Sequence, residues 1–160
     1  MEHQILTTEE LSGALPELLV AGACFPLVVT GWSMRPLLRH RRDVVWLRAF
    51  HPETCKRGRI LLYHRSSGHL VLHRVRTCRP DGYRMNGDAQ TWCEEITREQ
   101  VMAEVFQIVR DGKTIPCGAL RLRLWDLLWF PTRGLRPALY QMAHWHKTVF
   151  RGKAQGGGAS

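Results

Sequence analysis

Ser33 stands between Trp32 and Met34 in the stretch VVTGWSMRPLLRH, two residues after Gly31 and just past an apolar run. A serine hydroxyl stays protonated at neutral pH. It becomes a nucleophile when an adjacent base takes its proton and a third group orients that base. The run HLVLHRVRT supplies two candidate bases. It alternates as a strand does, so His69, Val71, His73 and Val75 share one face. His73 sits among aliphatic neighbours, whereas His69 lies beside a turn. Acids follow in MNGDAQTWCEE: Asp88, Glu94 and Glu95. Each residue alone has a plain structural explanation. A serine after glycine caps or turns, a strand histidine packs in a core, and Asp88 after Asn86-Gly87 is hairpin-turn chemistry. Their order along one chain is what raises a hydrolytic site.

These groups need elements to hold them. From Phe25 onward the chain breaks into short β-rich runs, FPLVVT, DVVWLRA, RILLYH, HLVLHRVRT, YRMN and VMAEVFQIV. The intervening SSG, PDG and RDG are hairpin-turn chemistry. Six short strands closed by tight turns predict a mainly β fold, a small coiled or barrel-like antiparallel domain over residues 25–117. Residues 1–24 precede it with an expected helix, where Thr7 and Glu10 have capping-box spacing and leucines recur at helical intervals. Residues 118–153 form a Leu/Trp-rich tail, in which Pro131 divides two amphipathic helical pieces. Residues 154–160, GGGAS at their end, read as a flexible tail or an expression scar.

The order GWSMRPLL, RRDVVWL, KRGRILLY, LHRV and NGDAQ resembles the signal peptidase I and LexA-like group of serine peptidases. The group's outline runs G-x-S-M-x-P, G-D-x-V, a K-G-D-hydrophobic strand, a basic residue before R-V, and then G-D. The resemblance spans roughly Val28 to Val109. Leader peptidases and LexA-type repressors carry lysine before R-V, while archaeal, endoplasmic-reticulum and SipW-like signal peptidases carry histidine. His73 occupies that position, so the chain looks like the histidine branch. The resemblance implies Ser33 as nucleophile, His73 as general base and an acid at or after the G-D to orient it. Asp88 matches the G-D itself, and Glu94 or Glu95 falls where the histidine branch places its acid. Substrate contact and the oxyanion donors would come from Thr30, Gly31, Trp32 and Met34, with the Ser33 N–H as the main donor. An unshifted histidine base would give an acidic limb near pH 6–7. Two departures stand out: Arg42 replaces the glycine of the first G-D pair, and Arg59 replaces the aspartate of the second.

Composition bounds the partners. The chain has 160 residues and a formal charge of +9, which favours anionic partners. Fewer residues precede the first strand than a helix-turn-helix needs, so nucleic acid is not an expected partner. From Ala119 to Lys153 seven Lys/Arg stand against Asp126 alone. With Trp125, Trp129 and Trp145 among them, the tail suits either an anionic membrane surface or a cover for the sheet. The five cysteines lack metal-ligand spacing, so no metal or cofactor is expected and free thiols in a reducing compartment are. The absence of a signal peptide or a 20-residue apolar span places the expected location in the cytoplasm, with peripheral contact at the inner membrane face. The expected activity is a serine endopeptidase acting on precursor or leader peptides. The rival is a peptidase-like fold that binds or regulates without catalysis, for which the two arginines are the best argument.

Overall fold

The computed structural model describes residues 22–129 and 131–135. Eight strands follow one another: β1 (Phe25–Val28), β2 (Asp43–Ala49), β3 (Ile60–His64), β4 (Leu70–Cys78), β5 (Gly82–Asn86), β6 (Glu94–Thr97), β7 (Val101–Arg110) and β8 (Lys113–Pro116). Helix α1 (Leu120–Trp129) and a 3-10 turn at Pro131–Leu135 complete the described chain. All strand pairs are antiparallel, in the spatial order β1-β2-β7-β3-β4-β5-β6. The ten-residue β7 is the spine. β2 runs along one side of it, while β3 and β8 share the other, at its beginning and end respectively.

β3 explains its own composition. Ile60 and Leu62 join one apolar cluster with Val45, Leu47, Val105 and Ile108, whereas Leu61 and Tyr63 join a second with Val75, Tyr83, Met85 and Ile96. A strand covered on both faces needs a continuous apolar run, and ILLY is one. Strand β2 reads differently because only one face is fully covered: Asp43, Val45 and Leu47 are buried, with half-buried residues between them.

The segment between β1 and β2 is held as a plug. Met34, Leu37 and Leu38 enter the first cluster, and the Leu38 N–H closes an α-type turn on the Met34 carbonyl at 2.9 Å. Burying side chains of this size contributes about 1.5–3 kcal/mol each. The ends are tied by the Val29 N–H to the Asp43 carbonyl at 2.9 Å and the Arg41 N–H to the Val29 carbonyl at 2.8 Å. Fully buried Asp43 accepts from the Arg39 N–H, from the Arg42 guanidinium and from Arg110 of β7. Burial alone would raise this carboxyl. The arginine and backbone hydrogen bonds override burial and bring it down to about 2. Arg42, out of pattern where glycine was expected, is thus a clamp on Asp43.

The mainly β expectation holds, with eight strands in place of six. The expected helix over residues 1–24 lies outside the described residues except for 22–24, as does the second piece of the tail beyond 135. The first piece is helical and stops before Pro131.

Candidate active site

Two loops and two strands converge on one cleft of about 220 Å³. The residues from Leu27 to Gly31 form one wall, and Leu70 to His73 of β4 another. Ser33, Met34, Arg65 and Gln90 complete the part of the lining that bears on chemistry. Ser33 and His73 therefore open onto the same cavity.

His73 is set by the register of the β3–β4 hairpin. It pairs with Leu61, while Tyr63 pairs with Val71, so Tyr63 is its diagonal neighbour on the same face. Only 1% of His73 is exposed. Its Nδ1 lies 2.9 Å from Glu94 Oε1 and 2.8 Å from the Tyr63 hydroxyl. The Tyr63 hydroxyl donates to Glu94 Oε1 in a short hydrogen bond, which leaves its lone pairs to accept from Nδ1–H. With Nδ1 holding the proton, Nε2 is the ring nitrogen left to act as a base. Glu94 is fixed in turn by Arg65, whose Nε and Nη2 reach its two oxygens at 2.8 Å each. This bidentate geometry is the strongest a guanidinium offers.

The electrostatics favour a neutral imidazole. Burial lowers the His73 pKa to about 4, against the raising pull of Glu94 and with Arg65 adding to the lowering. Glu94 lies below the usual carboxylate value: burial pushes it up, and hydrogen bonds from Arg65 and Tyr63 with the attraction of His73 prevail. Tyr63 is driven far upward by burial and by Glu94, so its hydroxyl keeps its proton.

The NGDAQ loop packs against Ser33 through Gly87 and Ala89 and is held in shape by its other residues. The Asn86 side chain donates to the Gln90 and Trp92 carbonyls and shapes the loop. Gly87 packs so closely that a Cβ there would stand 2.7 Å from the Ser33 carbonyl oxygen. The Ala89 N–H donates to that same oxygen at 2.8 Å. Asp88 is fully buried and receives both Nε and Nη2 of Arg74, at 2.9 and 2.7 Å. Arg74 also donates to the Gly58 carbonyl at 3.0 Å, and α1 grips the loop through Trp129 Nε1 to the Asp88 carbonyl at 2.8 Å.

Of the three candidate acids, then, Glu94 meets His73. Asp88 is the anchor of the loop that holds Ser33. Glu95, next along β6, faces the other way and pairs with Arg79 and Arg84 on the surface; adjacent strand residues point to opposite faces, so only one of the two can reach the imidazole. His69 is exposed beside Ser67.

Around the serine, Gly31 adopts φ +91°, a left-handed conformation that glycine tolerates. Its N–H is donated to His40 Nδ1 at 3.0 Å and is not free for an oxyanion. Thr30 lines the cleft and Met34 forms its buried floor. Trp32 stands outside the lining, 55% exposed, stacked on His40 with the Arg35 guanidinium 3.7 Å from its ring centroid. Among the described residues no acceptor takes the Ser33 N–H. Tyr63, Arg65 and Gln90 were not foreseen from the sequence. The one available signal was a polar tip on Tyr63 inside an apolar strand, and its meaning depends on a register the sequence does not print.

Arg59, the second departure, lies 3.4 Å from Oε2 of Glu104, whose Oε1 pairs with Arg48. It neutralises a buried glutamate of β7 and stands outside the lining of the Ser33 cleft. Among the described residues no cluster of His, Cys, Asp and Glu could hold a metal. No protein-family model matches the chain. No curated protein matches it either.

Proposed function

We propose that the chain is a serine endopeptidase of the signal-peptidase-like type that cleaves precursor or leader peptides. The observation that carries this reading is a half-buried serine and a buried histidine on one cleft, with a carboxylate 2.9 Å from the Nδ1 of that histidine. In the proposed reaction Ser33 Oγ attacks the scissile carbonyl as its proton passes to His73 Nε2. The Ser33 N–H donates to the oxyanion. His73 then protonates the leaving amine, and water, activated by the same imidazole, releases the acyl group. Glu94 stays ionised and steadies the imidazolium.

The cleft supports an extended, lightly substituted substrate. Strand β1 is the edge of the sheet, paired only with β2, and forms one wall. A peptide laid along it can add a strand and bring its carbonyl to Ser33. A volume of about 220 Å³ is below the usual ligand-pocket range of about 300–1,000 Å³ and favours small side chains such as alanine beside the cut.

No helix among the described residues is long and apolar enough to cross a membrane. We place the reaction at the cytoplasmic face of an anionic membrane, with residues 119–153 as the contact. Leu122 and Trp125 of α1 pack on the first apolar cluster, whereas Leu124, Leu127 and Leu128 are exposed, the last at 70%. The helix thus serves the sheet with one side and offers leucines to a lipid interface with the other.

Incubation with synthetic precursor peptides bearing alanine before the cut, read by mass spectrometry, tests the activity. Cleavage by the native chain, absent in Ser33→Ala and His73→Ala, supports it. Peptide binding without cleavage would support the non-catalytic rival.

A further inference from the structure

The hairpin of β3 and β4 carries Tyr63, Arg65 and His73 together. Its turn is closed by the Arg65 N–H to the His69 carbonyl at 3.0 Å and the Gly68 N–H to the Arg65 carbonyl at 2.8 Å. At its open end the Sγ atoms of Cys55 and Cys78 lie 3.4 Å apart, both as free thiols. The backbone sets this approach. Cys55 ends the 3-10 turn Pro52–Thr54, with its N–H on the Pro52 carbonyl at 3.1 Å. Gly58 and Arg59 then ladder onto Val75, through the Gly58 N–H to the Val75 carbonyl at 2.9 Å and the Val75 N–H to the Arg59 carbonyl at 2.7 Å. Cys78 is the last residue of β4 and is held from its other side by Tyr83 of β5.

We infer that Cys55 and Cys78 are a redox-active pair that takes a reversible disulfide and so staples the open end of the hairpin bearing the candidate base. A disulfide needs an S–S separation of about 2.0 Å, and the two sulfurs already stand in contact at 3.4 Å. The two thiols differ in access. Cys78 is exposed, while Cys55 is half-buried against the second apolar cluster. Burial and the neighbouring Cys78 push the Cys55 thiol up to about 12. Cys78 therefore meets the oxidant first.

With oxidised glutathione as the oxidant, the Cys78 thiolate attacks one sulfur, the glutathione S–S bond breaks, and one glutathione thiolate leaves. Cys55, on losing its proton, attacks Cys78 Sγ in that mixed disulfide and expels the second glutathione. Two electrons pass from the protein dithiol to the glutathione disulfide, and the two protons end on the glutathione thiols. The ring so closed spans β3 and β4 entire.

The test incubates the full chain in glutathione buffers of graded ratio, with thiol counting, peptide mapping and thermal unfolding. Free thiols should fall from five to three, with Cys55 and Cys78 joined in one cross-linked fragment. The melting temperature should rise by about 5–10 °C and return on reduction. Cys55→Ser and Cys78→Ser should abolish the cross-link and the rise, while Cys24→Ser should leave both. A lasting glutathione adduct on Cys78 with Cys55 still free would overturn the inference, as would cross-links joining other cysteines. Mapping of the native chain keeps the test decisive if either serine variant fails to fold. The outcome does not depend on whether the chain cleaves peptides.

Discussion

Glu94 Oε1 lies 2.9 Å from His73 Nδ1, and the Tyr63 hydroxyl bridges the same two groups. Glu94→Gln keeps the shape and removes the charge that orders the imidazole. It also offers Nδ1 a donor in place of an acceptor, which favours the wrong tautomer. We expect kcat/KM to fall by about 10²–10⁴-fold, whereas Glu95→Gln, on the exposed side of β6, should stay within about twofold. Equal losses in both variants would remove Glu94 from its role.

The pH profile should differ from that of an ordinary histidine. His73 accepts a proton only when neutral, and burial brings its pKa down to about 4. Activity should therefore hold steady to about pH 5 and drop as pH falls through about 4. Tyr63→Phe deletes a hydrogen bond to Glu94, so the carboxylate supports imidazolium better and the limb should move upward by about half a unit or more. A limb near 6.5 in the native chain would contradict a buried base.

Gly87→Ala probes the contact between loop and nucleophile. Its added methyl carbon would stand 2.7 Å from the Ser33 carbonyl oxygen, so one of the two segments must shift. Displacements of this kind away from the chemistry commonly cost about 10²-fold. We expect kcat/KM to fall by at least about tenfold while circular dichroism and the unfolding midpoint stay close to native.

Asp88→Asn should act on stability before rate. It leaves the buried Arg74 guanidinium without its bidentate carboxylate, and breaking a buried pair by removing one partner costs about 3–5 kcal/mol. Urea midpoints measure it directly.

Acidification should weaken the fold in two windows. The unfolded chain protonates histidine near 6.5 while folded His73 resists to about 4, so stability declines as pH falls between those values. Asp43 protonates at about 2 in the fold against an ordinary 3.8, so its contribution, full above 3.8, disappears as pH falls toward 2. Each step is on the order of 1–3 kcal/mol, readable from urea titrations at graded pH. Unchanged midpoints between pH 7 and about 2 would refute both.

Much of this arrangement was legible in the residues, and for identifiable reasons. DVVWLRA is β2 from end to end, because alternation against one covered face is a strong signal. EEIT and KTIP, which became β6 and β8, escaped notice: four-residue strands rich in charge and threonine look like loop until a partner supplies the ladder. That omission hid the choice between Glu94 and Glu95, which strand alternation decides. Arg42 and Arg59, readable as damage to a motif, gain sense only through carboxylates brought from β2 and β7. Tyr63 and Arg65 were invisible for a similar reason, since the hairpin register alone brings them to His73 and Glu94.

The central claim is that His73 activates Ser33. A serine-directed phosphonate on a short alanine-ended peptide, followed by peptide mapping and labelling rates, tests it most directly. The account predicts one adduct, on Ser33, with labelling at least about 100-fold slower in His73→Ala and none in Ser33→Ala. An intact native chain that takes no adduct between about pH 5 and 9, or a His73→Ala variant that labels as fast as native, would contradict it.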